Sequence, residues 1–145
     1  MGYALFSQNK LALNSTKSTI ELQQAQRMNQ NLQLAADKSA FQMDLSSSEQ
    51  AIAEDKQEVY EAFANEEITK DDKENLINEL DNELKILQEE TNRELRTLEV
   101  KEAALQMEIK SLDTQHDAIA KQLEAVEQAE GEGIEQSTPK FSGLS

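Results

Sequence analysis

Between Tyr3 and Glu130 the chain contains no glycine and no proline. Tight turns draw on these residues for a positive or a fixed φ. A stretch this long without them forms helix or stays disordered, and a compact many-stranded fold is hard to build from it. Composition agrees. Only 37% of the residues are hydrophobic and 4% aromatic, against roughly 45–50% apolar in an average soluble domain. The expected class is therefore all-α.

Charge divides the chain. Asp and Glu number 29 and Lys and Arg 14, a net charge of −15. Residues 1–48 hold four basic residues (Lys10, Lys17, Arg27, Lys38) and three acidic ones (Glu21, Asp37, Asp44). All the excess acid follows, in the 26 acidic and 10 basic residues after residue 48. A field of this sign repels nucleic acid and anionic lipid and favours basic partners. No apolar run approaches the ~20 residues of a membrane helix, and none at the start is long enough for a signal-peptide core. The expected location is cytoplasmic, or outside the cell by a route that needs no cleavable signal.

The clearest pattern lies in the second half. Ile77, Leu84, Thr91, Leu98, Leu105, Leu112, Ile119 and Val126 recur every seven residues. A companion row runs through Leu80 and Leu87, then Leu95, Glu102, Ile109, His116 and Leu123. Together they make a heptad seam with one extra four-residue step at Thr91. Sustained heptads impose a left-handed supercoil, and such a stutter unwinds it locally. Thr91, Glu102 and His116 are polar interruptions that set register. As a hypothesis, His116 makes assembly pH-sensitive; an assembly state unchanged between about pH 5.5 and 8 counts against it. Asp81–Lys85, Glu89–Arg93 and Asp117–Lys121 are spaced for i,i+4 pairs, each worth roughly 0.2–0.5 kcal/mol.

The first part, residues 1–46, is rich in Gln, Asn and Ser. A weaker heptad is traced by Leu11, Ser18, Ala25, Leu32 and Ser39, with Ser15, Leu22, Asn29, Ala36 and Met43. Ser46 with Glu49 fits a capping box, so a break is expected there. Leu45, Ile52 and Val59 then mark a short helix. Thr69 caps a third, and Asp71 and Asp72 suit its positive end. Gly131 and Gly133 suit a stop. Three helices result, over about 8–44, 48–66 and 69–130, with the last two in an acidic coiled-coil region, 47–130. Residues 131–145 form a flexible tail.

The expected architecture is an elongated antiparallel coiled coil, or helical hairpin, with one very long C-terminal helix. That helix makes a rod of roughly 90 Å at ~1.5 Å per residue. Its unmatched length would expose Leu and Ile, so the expected partner is a second copy or another helical protein.

Catalytic patterns are weak. The chain lacks cysteine and has one histidine. Asp113 and His116 have the spacing of half a di-iron helix motif, but a second half would have to come from another copy, and a register role is favoured. Asp71, Asp72 and Glu74 lack the glycine of a calcium loop. No serine sits in a glycine-flanked elbow. No enzyme activity, metal or other cofactor is expected. Tyr3, Leu5 and Phe6 at one end, with Phe141 and Leu144 at the other, are candidate docking residues; plain unstructured ends are the alternative.

In style the chain resembles the small helical proteins handled by bacterial type III export, flagellar or injectisome. The features are a low-charge start rich in Ser, Asn, Thr and Gln (Ser7 to Asn31), a helical body without Cys or Trp, and heptads near the C-terminal end. The resemblance implies polymerisation through paired terminal helices, or a hairpin stalk on an export ATPase. A tail continuing past the last heptad departs from the axial proteins of that group. The function expected is a structural or assembly coiled-coil protein, exported or appendage-associated. An adaptor or chaperone-like binder of a basic or helical partner is the alternative.

Overall fold

A computed structural model describes the backbone of residues 2–144 and the side chains of residue 5 and residues 7–131. Within these residues the chain forms two helices, α1 (Gly2–Ala64) and α2 (Lys70–Leu144). No strand occurs among the described residues. The chain divides into two compact units, Met1–Gln30 with Ala104–Ser145, and Asn31–Ala103.

In the first unit the two helical segments run antiparallel. Lys10 meets Glu127, Glu21 meets His116, Gln24 meets Asp113, and Arg27 meets Glu108. Numbers rise on one segment as they fall on the other. Ile20, Leu105, Leu112 and Leu123 are its buried apolar side chains.

The second unit is a helical hairpin. Lys38 pairs with Glu102 and Lys56 with Asp81. Ile52 and Leu98 are buried. The connection closes without glycine. Glu67 N–H donates to Ala62 O at 2.9 Å and Glu66 N–H to Phe63 O at 3.1 Å. This is the Schellman pattern, which satisfies carbonyls left over at a helix end. It needs a left-handed residue, and Glu66 adopts φ 60°. Thr69 Oγ1 then accepts Asp72 N–H at 3.1 Å, the cap expected from the sequence. Lys73 Nζ stands 4.3 Å from the Phe63 ring centroid, a cation–π contact across the turn.

Three expectations are corrected. The helix break at residues 44–48 does not occur, because α1 is continuous from Gly2 to Ala64. Serines inside a helix cost only tenths of a kcal/mol each. Covering Phe41, Leu45 and Ile52 on one face contributes more. The stop at Gly131 and Gly133 is also absent, since α2 extends to Leu144. A mid-helix glycine costs about 1 kcal/mol, which weakens a helix without ending it. Finally, α1 has 63 residues and α2 has 75. The expected mismatch between short helices and one long one is therefore reduced to a difference of 12 residues.

Candidate helix-packing interface

Along α2 in the second unit, Ile77, Leu80, Leu84, Leu87, Thr91, Leu95 and Glu102 are half-covered and Leu98 is buried. In the first unit, Leu105, Leu112 and Leu123 are buried, and Ile109, His116, Ile119 and Val126 are half-covered. Most positions between them are exposed. The covered stripe advances by threes and fours, with successive fours at Leu87, Thr91 and Leu95.

Up to residue 43 the facing stripe of α1 is not the one read from the sequence, whereas Leu45, Ile52 and Val59 are covered on the row expected of them. In the first unit the stripe comprises Lys10, Leu13, Lys17, Ile20, Gln24 and Arg27; in the second, Asn31, Leu34, Lys38, Phe41, Leu45, Ser48, Ile52, Lys56 and Val59. Leu11, Ser15, Ser18, Leu22, Ala25 and Asn29 of the first unit are all exposed. So are Leu32, Ala36, Ser39 and Met43 of the second. The correction has a physical cause. Lys and Arg cover apolar neighbours with their stems while their charged heads reach solvent or a partner. A stripe built partly of Lys10, Lys17, Arg27, Lys38 and Lys56 therefore does not read as a core face. One signal was present: Leu13, Ile20, Leu34 and Phe41 keep sevenfold spacing around Arg27.

Lys17 pairs with Glu21 on its own helix, and the other four basic heads meet carboxylates of α2. In the first unit Arg27 Nε lies 2.6 Å from Glu108 Oε2, and Lys10 Nζ lies 3.6 Å from Glu127 Oε1. A shallow cleft surrounds the arginine pair, lined by Gln23, Ser111, Leu112 and Gln115. In the second unit Lys38 Nζ lies 3.2 Å from Glu102 Oε2, and Lys56 is paired with Asp81. Asp81 thus pairs across the hairpin, whereas the sequence suggested Lys85 on its own helix.

His116 and Asp113 both engage the opposite segment. His116 Nε2 is 3.1 Å from Glu21 Oε1. Asp113 Oδ1 accepts a hydrogen bond from Gln24 Nε2 at 2.9 Å. The pair that suggested half a metal motif is thus occupied with α1 side chains. Among the described residues no group of three or more acidic or histidine side chains converges on a point. Among them, too, no helix is long and apolar enough to cross a membrane. Of the candidate docking residues, Leu5 is exposed. Tyr3, Phe6, Phe141 and Leu144 have side chains outside the described residues.

Compared with protein-family models, curated proteins and solved structures, the chain matches none.

Proposed function

We propose that this is a non-enzymatic structural or assembly protein that works by coiled-coil packing, as an exported or appendage-associated subunit. The observation that carries the reading is the pattern of covered residues. In each unit both helical segments bury stripes that step by threes and fours, the spacing of a coiled-coil seam. The same stripes hold Ile20 and Leu112 in one unit, Ile52 and Leu98 in the other. The low-charge, Ser- and Gln-rich start supports the export part of the proposal. Light scattering on a size-exclusion column, over a concentration series, tests the assembly part. Helical dimers or growing polymers support it; a monomer at every concentration overturns it.

A second reading, an adaptor for a basic partner, is favoured by one feature of the second unit. Beside its turn, Val59, Ala62, Ile68, Leu76 and Leu80 line a groove edged by Asp55, Glu58, Glu79 and Glu83. An apolar floor between carboxylates suits a basic amphipathic helix. Reversible, salt-sensitive binding of such a peptide by a monomeric chain is the outcome that selects this reading.

A further inference from the structure

Residues 1–30 contain four charged side chains, Lys10, Lys17, Glu21 and Arg27. Each makes an ion pair at the helix-packing side. Lys10 reaches Glu127 and Glu130, Arg27 reaches Glu108, and Glu21 lies between Lys17 and His116. The charge of this segment is thus gathered toward the partner segment. The opposite face carries Leu11, Ser15, Ser18, Leu22, Ala25 and Asn29, all exposed and all uncharged. Their steps are four, three, four, three, four, the interval of a coiled-coil seam. Leu11 is 68% exposed and Leu22 60%. The first segment therefore carries two seams, and its own fold uses only one.

We infer that this outward stripe of α1, residues 11–29, is the surface by which one copy of the chain binds a second copy. This rests on the self-assembling reading above and names its interface. Charge selects the occupant. The molecule carries −15, so most approaches of one copy to another are repelled. In residues 104–131 six acidic residues face two basic ones, which makes the α2 side of this unit repulsive to its own kind. The outward face of residues 11–29 has no charge to repel and none to require an opposite partner. A basic protein gains nothing there, whereas an identical uncharged stripe does. The alternation of Leu with Ser and Ala fits close pairing, because small residues let helix backbones approach. Asn29 is a polar seam residue of the kind that fixes register. A two-fold dimer presents the same patch from both copies, so one stripe suffices.

The test uses the full-length chain and three variants. Leu11→Glu with Leu22→Glu places two carboxylates on each copy's stripe. Met107→Glu is the control: Met107 is 73% exposed on the other segment of the same unit. Leu112→Asp strikes the internal seam. Light scattering reads self-association, and circular dichroism reads helicity. The inference expects the double variant to keep its helicity and to associate roughly a hundredfold more weakly, or not at all, because a charge buried at an interface lacks a partner. The Met107 variant keeps wild-type association, and the Leu112 variant loses helicity. If the wild type associates and the double variant associates equally well, the inference is overturned while self-assembly stands. The inference is likewise overturned if Met107→Glu disrupts association as strongly as the double variant. A wild type that stays monomeric at all concentrations overturns both.

Discussion

Lys38 Nζ donates to Glu102 Oε2 at 3.2 Å, joining the two helices of the hairpin unit where the α2 stripe carries a carboxylate among leucines. The lysine side chain is 26% exposed and the glutamate 39%, so solvent screens the pair. Coupling from a double-mutant cycle is therefore expected to be at most about 1 kcal/mol. Replacing both by apolar side chains, Lys38→Met with Glu102→Leu, should leave stability unchanged or raise it by about 1 kcal/mol. Urea unfolding of the four proteins in the cycle measures both quantities. A loss above about 2 kcal/mol in the double variant would contradict the solvent-screened assignment.

The face assignment of α1 has a direct test in two neighbouring residues. Ile20 is 5% exposed and Leu22 is 60% exposed. Ile20→Ala should cost about 2–4 kcal/mol from lost burial and the cavity left behind. Leu22→Ala should stay within about 0.5 kcal/mol, measured at a dilution where copies do not associate. The reverse order in thermal unfolding would restore the stripe read from the sequence.

The turn contains a correctable strain. Glu66 holds φ 60°, a conformation that costs a side-chain-bearing residue roughly 1–2 kcal/mol. Glycine has no such penalty, although it gains entropy in the unfolded chain. Glu66→Gly is expected to stabilise the chain by about 1 kcal/mol, seen as a higher denaturant midpoint with an unchanged slope.

Across the same connection, Thr69 Oγ1 holds Asp72 N–H at 3.1 Å. Thr69→Ala removes the acceptor and should cost about 1 kcal/mol, while Thr69→Ser should cost less than half of that. Amide hydrogen exchange adds a local readout. The Asp72 amide should lose protection in the alanine variant and keep most of it in the serine variant.

Much of α2 was legible because most of its apolar residues occur on a single face. Leu98, Leu105 and Leu112 are seven apart, and no competing row of leucines runs beside them. For α1 two rows compete. Leu11, Leu22, Leu32 and Met43 advertise one face, whereas Leu13, Ile20, Leu34 and Phe41 occupy the other, broken by Arg27 and flanked by lysines. Local periodicity cannot rank two such rows, since each makes an amphipathic helix. The capping box at Ser46 and the glycines at 131 and 133 were similarly permissive: they allow a helix to end but do not force it.

By itself, the sequence determined that the chain is helical, that it turns between Ala64 and Lys70, and which face of α2 is covered. The missing glycines and prolines, the cap at Thr69 and the recurring leucine spacing are local properties, available without a partner. Only the tertiary structure decided which face of α1 is covered before Leu45. That choice depends on residues far away in the chain: Glu108 and Glu127 receive Arg27 and Lys10 in one unit, and Glu102 receives Lys38 in the other. A basic side chain becomes part of a packing stripe when an opposing carboxylate meets its head and an apolar neighbour covers its stem.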